Sequence, residues 1–264
     1  MTASSTPIVL NGSVFFASDF HFGAPDAESS RRREANVVAW LDTIQPAADH
    51  LFLLGDIFDF WFEYKDVVPK GFCRFFAKLA ELRQAGVEIY YFTGNHDMWV
   101  KTYFADEFGI HIFRQEQLFE INGRRCLIGH GDGLDPADHG YQFIKKLFAM
   151  KLNIALYGAL PPRWAFGIAR FCSHRSRKSH EKATLDQWKA KAQRYTQVTF
   201  DHIRRRHAET QAEIFIYGHT HYPQEVAVQD GLIYYNTGDW LRHNSYLAWT
   251  PEGIVLHGGM APIQ

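Results

Sequence analysis

The sequence predicts an α/β layered core on three observations: short apolar runs rich in β-branched and aromatic residues, helical periodicity between them, and a polar cluster directly after each run. The runs are Val14–Ala17, Leu51–Leu54, Ile89–Phe92, Cys126–Ile128 and Ile214–Tyr217, each read as a buried strand. Between the first three lie two helical patterns. Arg31–Gln45 carries Val37, Val38, Trp40, Leu41 and Ile44 on one face; Phe72–Gln84 carries Phe75, Phe76, Leu79 and Leu82, with Gly86 placed to end it. From about Pro136 to His207 there is no strand signal, only helical periodicity broken by Pro161 and Pro162. We therefore expect one domain over residues 1–264 with a helical insertion, a lid, at 136–207. After it come the Ile214 strand, Glu225–Gln229, the turn Asp230-Gly231, Leu232–Asn236 and a last pair around Pro251–Gly253, expected to form a hairpin-rich second sheet.

Composition narrows the function. The chain of 264 residues is 46% hydrophobic, a globular composition with length enough for a sizeable core. With 28 Lys+Arg against 29 Asp+Glu there is no whole-molecule field to attract nucleic acid, so any basic recognition is local. Cys73, Cys126 and Cys172 form no CxxC pair and are expected to be buried thiols of a reducing compartment. The first residues lack the basic and apolar regions of a secretory signal, and a cytoplasmic protein is expected. The longest apolar candidate, Leu147–Leu160, falls short of the roughly 20 residues that span a bilayer and carries Lys151 and Asn153.

The polar clusters carry the chemistry: Asp19-Phe20-His21, Gly55-Asp56-Ile57-Phe58-Asp59, Gly94-Asn95-His96-Asp97, Gly129-His130-Gly131-Asp132 and Gly218-His219-Thr220-His221. In an open α/β sheet ligands collect at the carboxyl ends of the strands, which would bring these groups into one pocket. Oxygen and imidazole donors without thiolate suit Mn²⁺, Fe²⁺ or Zn²⁺. A single four- to six-coordinate ion cannot use them all; a pair about 3.5–4 Å apart sharing a carboxylate can. For one cluster alone, strand-end turns are an equally good reading.

The series DxH, GDxxD, GNHD, GHGD and GHTH, in this order between Asp19 and His221, resembles the calcineurin-like metallophosphoesterases. That resemblance implies a β-sandwich flanked by helices. It also implies two divalent ions, manganese first, with Fe²⁺ or Zn²⁺ as alternatives. Asp19, His21, Asp56 and His221 would hold one ion and Asp56, Asn95, His130 and His219 the other. His96 would contact the phosphate and Asp59 would orient it. Such a centre acidifies a bridging water and neutralises phosphate oxygens, giving hydrolysis by in-line attack of hydroxide without a covalent intermediate.

Substrate choice must lie elsewhere, and the insertion is the place to look. In Tyr141–Leu160 the apolar residues cover more than one helix face, so they either pack a helical hairpin on itself or line a pocket for acyl chains, with Tyr141 among the substrate contacts. The run from Ser173 to His180 is basic and hydroxyl-rich; it is either a solvated face or a grip for a charged head group through Arg175, Ser176, Arg177 and Lys178. Together with DFHFGAPD, GDIFDFWFEY and GHGDGLDPAD, these features are similar to one branch of the family, the UDP-2,3-diacylglucosamine diphosphatases of lipid A synthesis. This implies cleavage of that lipid nucleotide to UMP and 2,3-diacylglucosamine 1-phosphate by an enzyme peripheral on the cytoplasmic face of the inner membrane. One residue departs: well-known members of the branch carry Arg where this chain has His96, the residue of the wider family. A soluble-substrate phosphodiesterase or nucleotide pyrophosphatase, and a non-catalytic lipid-binding protein, are the competing readings. Trp240, in the closing NTGDW, suits either the core or a stacking face for a base.

Overall fold

The computed structural model describes residues 6–169 and 185–258, without the side chains of 185–193. In chain order the elements are β1 (Ile8–Leu10), β2 (Val14–Ala17), α1 (Ala27–Ile44), β3 (His50–Leu53), α2 (Cys73–Gln84), β4 (Glu88–Phe92), α3 (Tyr103–Phe108), β5 (His111–Phe113), β6 (Gln117–Ile121) and β7 (Arg124–Ile128). There follow α4 (His139–Ala149), α5 (Lys151–Gly158), α6 (Leu185–Thr210), β8 (Ile214–Tyr217), β9 (Gln224–Gln229), β10 (Leu232–Asn236), β11 (Tyr246–Thr250) and β12 (Gly253–His257), with residues 162–169 also helical. The chain divides into two compact units, Met1–Asp132 with Thr210–Gln264, and Gly133–Glu209.

The first unit is built on two six-stranded sheets, β12-β11-β2-β3-β4-β5 and β1-β6-β7-β8-β10-β9. Strands β2 to β5 run parallel, as do β7, β8 and β10. The continuous apolar runs have a direct cause here. Successive side chains of a strand point to opposite faces, and both faces of the first sheet are covered. Phe15, Ala17, Leu51, Leu53, Ile89 and Tyr91 pack with Trp40, Leu41, Phe75, Leu79 and Phe104 of the helices. Val14, Phe16, Phe52, Tyr90 and Phe92 pack with Phe119, Cys126, Ile128, Ile214 and Ile216 of the second sheet. Fully burying one such side chain contributes about 1.5–3 kcal/mol.

Several boundaries differ from the sequence reading. Helix α1 starts at Ala27 rather than Arg31, because the Asp26 carboxylate accepts from the amides of Glu28 and Ser29, both at 2.9 Å, and caps a polar first turn with no apolar period to reveal it. The five cluster-bearing strands do not share one sheet; β2, β3 and β4 lie in the first and β7 and β8 in the second. The late hairpins also divide, β9–β10 joining the second sheet and β11–β12 the edge of the first. Cys126 is buried as expected but Cys73 is exposed, and Cys172 lies outside the described residues. Trp240 belongs to the core, edge-on to Phe20 at 5.6 Å and 5.1 Å from Trp40.

Within the second unit, Asp138 caps α4 by accepting from the Tyr141 amide at 2.9 Å. Neither α4 nor α5 contains a buried residue. No helix among the described residues is long and apolar enough to cross a membrane.

Candidate metal centre

The loops that follow β2, β3, β4, β7 and β8 converge at the carboxyl ends of the parallel strands. The Asp19 amide donates to the Gly55 carbonyl at 3.0 Å and the His21 amide to the Asp56 carbonyl at 2.9 Å, locking the first two loops together. Asp19, His21, Asp56, His219 and His221 all adopt left-handed backbone conformations, with φ of 56°, 45°, 53°, 69° and 62°. Such conformations cost on the order of 1 kcal/mol or more each outside glycine and concentrate at functional sites. Close approach explains two of the preceding glycines. A Cβ on Gly94 would lie 2.2 Å from Asp56 Oδ1, and one on Gly218 would lie 2.4 Å from Ser18 Oγ and 2.7 Å from Asp19 Oδ2.

Three groups of potential donors result: Asp19, His21 and His221; Asp56, His130 and His219; and His21, Asp59 and His96. His21 Nε2 lies 3.7 Å from Asp19 Oδ1 and 3.8 Å from Asp56 Oδ2. His221 Nε2 is 3.5 Å from Asp19 Oδ1. His130 Nε2 is 3.4 Å from Asp56 Oδ2 and 3.4 Å from Asn95 Oδ1, and its ring stands edge-on to His219 with centroids 5.1 Å apart. His130 Nδ1 faces the Leu54 carbonyl at 2.7 Å; a carbonyl only accepts, so the proton sits on Nδ1 and leaves Nε2 turned to Asp56 and Asn95.

Charge in this cluster follows from the two buried carboxylates. Burial opposes ionisation of Asp19 and Asp56, yet the surrounding imidazoles, His221 and His130 foremost, hold both carboxyls below their ordinary range. Burial likewise disfavours a charged imidazole. Asp56 and Asp19 overcome that for His130, raised to about 10, and Asp19 and Asp239 for His221, raised to about 9. Desolvation and the neighbouring His130 bring His219, which is half-buried, down to about 4. Burial also holds His21 below its ordinary value, so it stays neutral with a lone pair to offer. The cluster attracts positive charge, and the residues fit a divalent cation: Asp19 Oδ1 and His21 Nε2 are buried without hydrogen-bond partners.

Beside this cluster, His96 Nδ1 lies 3.0 Å from the backbone carbonyl of Asp59 and 3.7 Å from its carboxylate. Its amide donates to Asp56 Oδ1 at 2.8 Å. Burial works against charge on His96, but Asp56 and Asp59 outweigh it and raise its pKa. Two further carboxylates, both within motifs noted in the sequence, were given no role there. Asp97 accepts from the amides of Ile57 and Gly94 at 2.8 and 2.7 Å and from the Tyr91 hydroxyl at 2.5 Å, bracing the second and third clusters. Asp239 accepts from His221 at 3.1 Å; it follows an apolar strand as the other clusters do, and that was the available signal. Tyr141 sits in the first turn of α4, its ring against Gly133. Arg175, Ser176, Arg177 and Lys178 lie outside the described residues.

A family model described as calcineurin-like phosphoesterase matches residues 12–223, a span that holds every one of the five clusters. The chain belongs to the calcineurin-like phosphoesterases. As a member of that family it is a metal-dependent phosphoester hydrolase, and the two helix-flanked sheets are its fold. It is 35% identical over 258 residues to a UDP-2,3-diacylglucosamine hydrolase of Porphyromonas gingivalis (strain ATCC BAA-308 / W83), covering 94% of this chain and 97% of the relative. It is also 30% identical over 246 residues to the protein of that name from Shewanella sp. (strain W3-18-1), covering 92% and 95%. A third relative of the same name, from Aeromonas salmonicida (strain A449), is 30% identical over 245 residues, covering 90% of each chain. The family and the hydrolase names of these relatives support an enzyme over the non-catalytic lipid binder.

Proposed function

We propose that this phosphoesterase hydrolyses the pyrophosphate bond of UDP-2,3-diacylglucosamine, releasing UMP and 2,3-diacylglucosamine 1-phosphate, at two divalent ions, Mn²⁺ in the first instance. The observation that carries the site reading is Asp56 Oδ2, which stands 3.8 Å from His21 Nε2 on one side and 3.4 Å from His130 Nε2 on the other. One carboxylate oxygen facing two donor sets is the arrangement that two ions sharing a ligand require. Asp19, His21, Asp56 and His221 would hold one ion, and Asp56, Asn95, His130 and His219 the other. When bound, the pair supplies the positive charge that neutralises phosphate oxygens and acidifies the attacking water.

The protein's own groups do the rest. His96 has its Nδ1 proton committed to the Asp59 carbonyl, so Nε2 is the nitrogen left to meet the substrate. The neighbouring carboxylates favour the charged ring, which donates from Nε2 to a phosphate oxygen or to the leaving oxygen. Asp97 and its backbone donors keep the Asp56 and Asn95 loops in register during this exchange.

The lipid end of the substrate is supported by the relatives' names and by the second unit. Phe143, Leu152, Leu156 and Trp164 are 67, 64, 60 and 66% exposed among the described residues. Apolar surface of that kind fits acyl chains or the membrane surface from which such a substrate comes. Tyr141, Arg175, Ser176, Arg177 and Lys178 are the proposed contacts to the substrate beyond the ions. We place the enzyme in the cytoplasm, peripheral on the inner membrane.

The test is turnover with Mn²⁺ of UDP-2,3-diacylglucosamine beside a chromogenic phosphodiester. Release of UMP and the lipid 1-phosphate, at a kcat/KM far above that of the diester, is the expected result. Cleavage of the diester or of soluble nucleotide pyrophosphates with none of the lipid nucleotide would replace this reading by the soluble-substrate one.

A further inference from the structure

We propose that Asp239 is a positioning residue for the metal centre, fixing the tautomer of His221. The proposal rests on the reading above that His221 holds an ion together with Asp19, His21 and Asp56.

The geometry starts with strand pairing. Strand β10 runs parallel to β8, with Asn236 opposite Tyr217, so the loop after β10 emerges beside the loop that carries His219 and His221. That loop is tied down from several sides. The Thr237 amide donates to the Tyr217 carbonyl at 2.9 Å, Asn236 Nδ2 donates to the Gly218 carbonyl at 2.5 Å, and the Trp240 amide donates to the Asp19 carbonyl at 3.2 Å. Ser245 Oγ donates to the Thr237 carbonyl at 2.7 Å. The loop that carries Asp239 is therefore held against the loops that carry Asp19 and His221.

Its carboxylate is buried and fully engaged, 2% exposed with donors on both oxygens. Oδ1 accepts from the amides of Arg242 and His243 at 3.0 and 3.1 Å, and from the His243 ring at 3.0 Å. Oδ2 meets His221 Nδ1 at 3.1 Å. An ionised carboxylate only accepts, so His221 carries its proton on Nδ1. The opposite nitrogen, Nε2, is then the one that faces Asp19 Oδ1 at 3.5 Å, and it is the nitrogen whose proton an incoming cation would displace. Without Asp239 the ring of His221, a third exposed, keeps its stacking on His21 at 5.0 Å between centroids but loses the acceptor that fixes its tautomer.

Asp239→Asn separates this role from simple bracing of the loop. Asparagine keeps an oxygen to cap the Arg242 and His243 amides, but its NH₂ must then face His221 Nδ1, a donor against a donor. Relief comes only if His221 moves its proton to Nε2, which removes the lone pair. The experiment is titration of the metal-stripped protein with Mn²⁺, alongside its thermal melting. We expect wild type to take up two ions, and Asp239→Asn to bind one of them about 10–100-fold more weakly, with the stripped variant still melting in a single cooperative transition. Wild-type affinity for both ions in Asp239→Asn would overturn this proposal and leave the site reading intact; a wild type that binds no Mn²⁺ would overturn both. A second measurement does not depend on the variant folding. In the Zn²⁺-loaded wild type, imidazole ¹⁵N spectra should show the His221 proton on Nδ1, and a proton on Nε2 would equally overturn the assignment.

Discussion

His96 is oriented by the main chain of Asp59: its Nδ1 lies 3.0 Å from the Asp59 carbonyl, against 3.7 Å to the carboxylate. The sequence reading gave that task to the carboxylate, but the closer partner is a backbone group that no side-chain substitution removes. His96→Ala should keep both metals and slow turnover by about 10²–10⁴-fold, the usual contribution of a positioned proton donor or charge stabiliser. Asp59→Asn, which leaves the carbonyl in place, should cost about tenfold or less on the same scale. Steady-state kinetics with metal analysis of each variant decides the matter; equal losses would return the orienting role to the carboxylate.

Asp56→Ala should abolish metal uptake as well as activity, because Oδ2 of this residue faces both donor sets. Its loss leaves two cations close together without the shared negative charge. Elemental analysis of the purified variant is the check, and two ions at full occupancy would refute the shared-ligand assignment. Chelation of the wild type should lower its melting temperature, since ions bound only to the folded state stabilise it by mass action.

Gly94→Ala should disable the centre although position 94 carries no chemistry. The new methyl would lie 2.2 Å from Asp56 Oδ1 and 2.6 Å from the Asp56 amide nitrogen, and neither can yield without moving the carboxylate. We expect a stability loss of about 1–3 kcal/mol, typical of overpacking a buried site, and loss of most activity. Urea denaturation and a metal titration on the same preparation measure the two effects.

Glu34→Ala should do the reverse, weakening the fold and sparing catalysis. Glu34 Oε1 accepts from the amides of Arg74 and Phe75 at 3.0 and 3.2 Å, and so caps α2, whose own N-cap residue Phe72 offers no side-chain bond. Loss of a helix cap costs about 0.5–2 kcal/mol, readable as a lower urea midpoint, with kcat within about twofold of wild type.

The second unit carries the prediction about substrate choice. Replacing Phe143 and Leu152, both exposed, with Asp should reduce kcat/KM for the diacylated substrate at least tenfold while simple-diester hydrolysis stays near the wild-type rate. Each methylene of acyl chain withdrawn from water is worth about 0.8 kcal/mol, so losing two suffices. Neutralising Arg175, Arg177 and Lys178 together should impair charged head groups with a deficit that depends on ionic strength. Equal losses on lipid and soluble substrates would make the unit a scaffold and favour the soluble phosphodiester reading.

The sequence by itself determined the strands that matter and the chemistry at their ends. Val14–Ala17, Leu51–Leu54 and Ile89–Phe92 read as buried strands because the first sheet is covered on both faces, so every position along them is apolar. The clusters read as a metal site because Asp, Asn and His recur directly after such runs, a local pattern that needs no knowledge of the fold. What only the tertiary structure decided is non-local. The division of the clusters between two sheets depends on which strands pair, and a strand's own residues do not state their partners. The start of α1 depends on a cap rather than a periodicity, and the cap of α2 comes from Glu34, 40 residues away in sequence from Arg74. Asp239 meets His221 only because β10 lies parallel to β8. Hydrophobic periodicity is written residue by residue along the chain, whereas a hydrogen bond between distant loops exists only once the sheets have brought those loops together.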